Sequence, residues 1–233
     1  PKERIIFRLP YYPDRILHHA IMNILEPIWV SVFTKDTYSC IKGRGIHGAM
    51  RNVKRAIKDR ENARYCLKID IRKFYPSIDH DVLKTIIRRK IKCKDTLALL
   101  DTIIDSTDGV PIGNYLSQYF ANLMLAYFDH WIKEEKRVRY YFRYADDMVF
   151  LASTKEELHI LLADIKKYLA ALKLTLKGNE QIFPIAENRA DKHGRGLDFV
   201  GFVFYHNQTL MRKSIKQNFC RMAARLNKKL NIS

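Results

Sequence analysis

With 233 residues, 47% of them hydrophobic, the chain is long enough for one large domain or for two or three subdomains sharing a core. Its formal charge of +17 points to a polyanionic partner, with nucleic acid the first candidate and an anionic membrane surface the rival. No stretch approaches the roughly 20 apolar residues of a membrane span and no lipidation signal is present, so no membrane partner is expected.

The four cysteines, Cys40, Cys66, Cys93 and Cys220, are scattered and form no C-x-x-C pair. A zinc site or disulfide framework is therefore not expected, and a reducing cytoplasm fits. No signal peptide opens the chain. It starts at Pro1 on a strand-like run, which raises the expectation of further sequence upstream.

Residues 2–9 mix basic and β-favouring side chains, and Pro10 and Pro13 break the run. Asp14 is placed to cap a helix from Arg15 to about Val30, with Ile16, Leu17, Ala20, Ile21, Ile24 and Leu25 at helical spacing. Pro27 is expected to end or kink it. Gly43-Arg44-Gly45 then leads into a helix over about 47–60. Amides and cations at such a helix start suit a phosphate, but a plain loop entering a helix has the same appearance. His47 reads as a structural helix-start residue.

Residues 64–71 read as a strand ending in Asp70, positioned by rigid structure yet open to a cleft. Asp79 reads as the N-cap of a helix carrying Val82, Leu83, Ile86, Ile87 and Ile91. The Arg88, Arg89, Lys90 and Lys92 cluster on it reads as a solvated basic face. Another helix spans roughly 95–105. After the breaker-rich loop Gly109-Val110-Pro111-Ile112-Gly113, an apolar and aromatic helix is expected to run to about Lys136.

Val138–Arg143 and Met148–Ala152 read as strands flanking Tyr144-Ala145-Asp146-Asp147. Adjacent carboxylates at a turn between apolar strands repel each other, and a divalent cation would relieve that; a solvated Asp-Asp turn is the plainer alternative. Thr154-x-x-Glu157 is a capping box that opens a helix to about Leu172. Short strands follow over 174–184, then a strand over 197–205, a turn at 206–208 and a basic helix over 212–230. Hairpins mixed with long helices predict an α+β fold.

Asp70 supplies the third carboxylate. If its strand neighbours the Asp146-Asp147 hairpin, the acids would together hold two Mg²⁺ ions, with Mn²⁺ a possible substitute, the arrangement used for nucleotidyl transfer.

In this order the motifs resemble those of the reverse transcriptases over nearly the whole chain. Ile69-Asp70-Ile71-Arg72-Lys73-Phe74-Tyr75 resembles the family's first catalytic motif. Pro111-Ile112-Gly113-Asn114-Tyr115-Leu116-Ser117-Gln118 resembles its nucleotide- and template-positioning motif. Tyr144-Ala145-Asp146-Asp147 resembles its catalytic hairpin, and Phe199-Val200-Gly201-Phe202 its primer-grip hairpin. The resemblance implies an RNA-directed DNA polymerase with a right-hand fold: fingers (1–63), the first catalytic strand of an antiparallel palm (64–81), fingers and palm helices (82–108), palm with catalytic hairpin and primer grip (109–210), and the start of a basic helical thumb (211–233). The family's thumb is longer, so either the chain is truncated or another part or partner completes the grip.

By the same resemblance, Asp70, Asp146, Asp147 and the Ile71 carbonyl would be metal ligands. Tyr75 would be the gate against a ribose 2′-hydroxyl, with an ordinary core aromatic as its plainer reading. Lys73 and Phe74 would offer backbone amides to the triphosphate, Ile112 and Gly113 would lie near the incoming nucleotide, and Arg4 and Lys2 would pair with phosphates. Lys177 would protonate pyrophosphate or else be a solvated lysine. The implied partners are an RNA template, a DNA or RNA primer and dNTPs, together with an accessory protein or structured RNA, in a bacterial cytoplasm. The Ser117-Gln118 ending is similar to diversity-generating retroelement enzymes, and the whole to retron-like ones. Defence-associated and group II intron enzymes, and a non-catalytic RNA-binding scaffold on the same fold, are the alternatives. Two departures stand out: Ile112 where the family often has glutamine, implying relaxed base selection and error-prone synthesis, and Ile41 in place of an arginine.

Overall fold

A computed structural model describes residues 10–111 and 113–230; Lys2, Arg4 and Ile112, and their expected roles, lie outside the described residues. The architecture is α+β, as predicted. The helices are α1 (Ile16–Val30), α2 (Gly45–Ala56), α3 (His80–Arg88), α4 (Lys94–Ile104), α5 (Tyr115–Met124), α6 (Ala126–His130), α7 (Lys155–Ala171) and α8 (Lys213–Leu230). The strands are β1 (Tyr65–Asp70), β2 (Tyr140–Tyr144), β3 (Asp147–Ala152), β4 (Gln181–Pro184), β5 (Leu197–Phe199), β6 (Phe202–Phe204) and β7 (Thr209–Met211). They form an antiparallel sheet in the order β2-β3-β1-β4 and a second in the order β5-β6-β7.

The larger sheet is covered on both faces, and the two-residue period of a strand sorts its side chains. Leu67, Ile69, Tyr141, Met148 and Phe150 share a core with helices α1, α3, α5 and α7. Cys66, Phe142, Val149, Leu151 and Phe183 face a second core with α2 and the small sheet, which supplies Leu197, Phe199 and Phe204. Lys68, Asp70 and Asp147 fall on this second face, where its apolar rows run out. Helix α5 is buried almost all round, from Leu116 to Met124, and Trp29 of α1 stacks obliquely on its Phe120 with ring centroids 5.7 Å apart.

Most predicted caps and strands are present. Asp79 Oδ1 accepts the Val82 N–H at 3.0 Å, and Thr154 Oγ1 accepts the Glu157 N–H at 3.2 Å. Five expectations need correction. Asp14 does not cap α1, because residues 11–15 already coil as a wider turn and carry the boundary to Arg15. Of the two outcomes expected of Pro27, ending α1 is ruled out, since it lies inside the helix, exposed, where water can satisfy the carbonyl it strands. The buried face of α1 is His18, Ile21, Met22, Leu25 and Trp29, leaving Ile16, Leu17 and Ile24 exposed. The apolar helix expected to reach Lys136 breaks at Leu125 into α5, α6 and a wide turn over Trp131–Glu135. The single strand expected over 197–205 is a hairpin, folded at Val200 and Gly201 with φ of 45° and 88°, the two positive values that a type I′ turn requires.

Candidate active site

Strand register brings the predicted acids together. Asp70, the last residue of β1, lies directly opposite Asp147, the first of β3. The β2–β3 turn holds Ala145 at φ 54° and presents Asp146 beside them. Burial, together with the Asp70 and Asp147 charges and a hydrogen bond shared with Asp70, pushes the Asp146 carboxyl up to about 6, although a backbone N–H bond works the other way. Burial likewise raises Asp147, which Lys68 partly offsets.

Two lysines answer this negative charge. Lys177 Nζ donates to Asp70 Oδ2 at 2.8 Å, and the Lys177 N–H donates to the Asp70 carbonyl at 2.9 Å. Lys68 Nζ lies 3.3 Å from Asp147 Oδ2. Asp147 Oδ1 is buried and has no hydrogen-bond partner. Among the described residues, no three acidic, histidine or cysteine side chains converge on one point; two of the three carboxylates turn to lysines instead. Three carboxylates at one sheet end, one buried orphan oxygen and a proton affinity raised by burial and by the neighbouring charges fit hard divalent cations that take oxygen ligands. Ile71 has its side chain in the core, so only its backbone could face the acids.

Tyr75 stands at the start of a short 3₁₀ turn, Tyr75–Ser77. Burial pushes its phenol up to about 12, and the nearby Cys40, Asp146 and Tyr144 add to the shift against Arg143. The ring is therefore within electrostatic reach of the carboxylate turn. Phe74 is buried and meets Tyr75 edge-on at 5.7 Å, while Lys73 is exposed at φ 46°. The Val110 N–H donates to the Tyr75 carbonyl at 2.9 Å. Gly109 lies so close to Pro76 that an added Cβ would come within 2.6 Å of its carbonyl oxygen. The loop ending at exposed Gly113 is thus moored to the Tyr75 turn.

In the β5–β6 hairpin, Phe199 pairs with Phe202 across the Val200-Gly201 turn, and Phe199 is fully buried. Arg44, in the glycine-flanked loop, is turned inward to the Thr34 and Thr37 carbonyls and does not face outward as a phosphate ligand would.

Reading the sequence missed Arg143. It is fully buried, as is its partner Asp129 on α6. Its guanidinium donates to both Asp129 oxygens (Nε to Oδ1 at 2.8 Å, Nη2 to Oδ2 at 2.6 Å), to Asn122 Oδ1 at 3.2 Å and to the Ala145 carbonyl at 3.2 Å. The Tyr141 and Thr37 hydroxyls also donate to Asp129. The turn bearing Asp146 is thereby tied to α5, α6 and the 34–38 segment. The available signal was period two: Arg143 shares a strand face with Tyr141, so it had to enter the core.

A family profile described as reverse transcriptase (RNA-dependent DNA polymerase) matches residues 1–179. The chain belongs to the reverse transcriptase family. Among curated relatives, this reverse transcriptase-family chain is 24% identical to Protein YkfC of Escherichia coli (strain K12), over 88% of the chain and 63% of that protein. It is 27% identical to the group II intron-encoded protein LtrA of Lactococcus lactis subsp. cremoris, over 55% of the chain and 23% of that protein. It spans less than two thirds of the length of either. Among solved structures, telomerase from Candida tropicalis in complex with a fragment of telomeric RNA superposes with a TM-score of 0.64 at 14% identity, over 86% of the chain and 38% of that protein. The truncated apo telomerase from the same organism gives 0.59 at 15% identity, over 85% and 45%. At these identities the likeness shows the polymerase fold. No helix among the described residues is long and apolar enough to cross a membrane.

Proposed function

We propose that the chain is the fingers, palm and first thumb helix of an RNA-directed DNA polymerase that adds dNTPs to a primer 3′ end on an RNA template. The observation that carries this reading is the meeting of Asp70, Asp146 and Asp147 at one end of the β1–β3 pair, with Tyr75 within electrostatic reach of Asp146. Asp70, Asp146, Asp147 and the Ile71 carbonyl would hold two Mg²⁺ ions, or Mn²⁺ in their place. When bound, these metals activate the primer 3′-hydroxyl and steady the triphosphate and its pyrophosphate leaving group.

The chain's own residues do the remaining work. Tyr75 excludes a ribose 2′-hydroxyl by bulk. Lys73 and Phe74 offer backbone amides to the triphosphate, with Arg4 and Lys2 as its cationic partners and Ile112 and Gly113 flanking the base. Lys177 Nζ, placed at the acids by its hydrogen bond to Asp70, delivers a proton to the departing pyrophosphate. Phe199, Val200, Gly201 and Phe202 seat the primer end. Primer extension on an RNA template with dNTPs or rNTPs tests this reading. Mg²⁺-dependent dNTP incorporation is expected; a preference for rNTPs would contradict it, and no extension would favour an RNA-binding scaffold.

Within that reading, the Ser117-Gln118 ending supports an enzyme of a bacterial diversity-generating retroelement. The similarity to LtrA supports the group II intron alternative. An isoleucine at 112 offers no hydrogen bond near the nascent pair, which supports error-prone synthesis. An Ile112→Gln variant should lower the misincorporation frequency in a sequenced extension product; unchanged fidelity would remove this part of the proposal.

A further inference from the structure

The two sheets meet through an apolar interface of Cys66, Val149 and Leu151 against Leu197, Phe199 and Phe204. Such a contact is non-directional and does not by itself specify one polar register. Backbone bonds from the Arg195 N–H to the Pro184 carbonyl and from the Ala186 N–H to the Arg195 carbonyl join the sheets along β4, and a side-chain cross-link stands at the end that bears the acids. Lys68, two residues before Asp70 and on the same strand face, reaches Asp147 Oδ2 at 3.3 Å and donates to the Asp198 carbonyl on β5. Asp198 is held from its other side, because Arg212 Nε donates to Asp198 Oδ1 at 2.8 Å. The Arg212 N–H donates to the Gly201 carbonyl at 2.9 Å, and α8 starts at the next residue. A continuous path therefore runs from the Asp147 carboxylate through one ammonium to the β5–β6 hairpin and the base of α8.

Resting on the polymerase reading for what the coupling serves, we infer that Lys68 is a positioning residue that fixes the separation between the Asp147 carboxylate and strand β5. It thereby sets a primer end seated on the hairpin in register with the acids. An ammonium suits the task, since its several N–H donors can serve a carboxylate and a carbonyl at once. A thioether, one atom shorter and without a donor, serves neither, while the apolar interface and the Arg195 backbone bonds between the sheets stay intact.

The test uses Lys68→Met and Lys68→Arg in the full chain, read by amide hydrogen exchange over 197–204 and by primer extension. In Lys68→Met, exchange over 197–204 should rise about tenfold while the β1–β3 amides keep their protection. The rate of primer extension at saturating dNTP should fall about tenfold or more through misplacement of the reacting ends. Lys68→Arg, which keeps the donors, should recover both. Unchanged exchange over 197–204, or a rise spread evenly over the whole chain, would overturn the coupling. If the unaltered protein extends no primer, the polymerase reading falls while the exchange data still decide the coupling.

Discussion

Tyr75 is the residue on which the choice of sugar turns. Its backbone is moored by Val110 and its ring lies within electrostatic reach of the Asp146 turn. Tyr75→Ala should open the space a 2′-hydroxyl needs. We expect the preference for dTTP over UTP to fall by about tenfold to a hundredfold, the worth of a few kcal/mol of steric exclusion. Competitive single-nucleotide incorporation measures this, and an unchanged ratio would leave Tyr75 a core aromatic. That Asp70 and the Asp146-Asp147 turn stand at strand ends was legible from local strand patterns and an acidic turn, whereas Tyr75 was singled out by the family resemblance alone. Lys68 and Asp129 were not legible, because their roles depend on partners that only the strand register and the helix break bring near.

Elements follow the same division. Caps and strand periods are local, so Asp79, Thr154, β1 and the β2–β3 hairpin were read correctly. The break at Leu125 was not, and apolar composition hid the fold at Val200-Gly201 from the strand pattern, although the resemblance to a primer-grip hairpin pointed to it. The break at Leu125 precedes the short helix whose Asp129 holds Arg143, and a fully buried ion pair of this kind is costly to leave half made. Arg143→Met should cost about 3–5 kcal/mol of unfolding free energy, since it leaves the Asp129 charge buried without its main partner. Arg143→Met combined with Asp129→Leu should cost less than the two single changes together. Denaturant melts of the three variants measure the cycle; additive losses would show that the pair does not act as a unit.

At the scale of the whole molecule, the +17 charge and the basic side chains of α8 suit a surface that works against phosphate. Affinity for a primer–template should therefore fall steeply with salt, with log K linear in log salt and a slope of about −0.9 per neutralised phosphate on a duplex. Fluorescence anisotropy across a salt series measures it, and a flat response would show that the excess charge lies away from the nucleic acid. That expectation rests on composition, whereas the placing of two sheets around one acidic end required the fold. The most direct measurement of the central claim is dTMP incorporation on poly(rA)/oligo(dT) in Mg²⁺ by the unaltered chain and by Asp146→Ala. Incorporation should stop on chelation and fall by about a thousandfold or more in Asp146→Ala, whose fold persists. Equal incorporation by both proteins would contradict it.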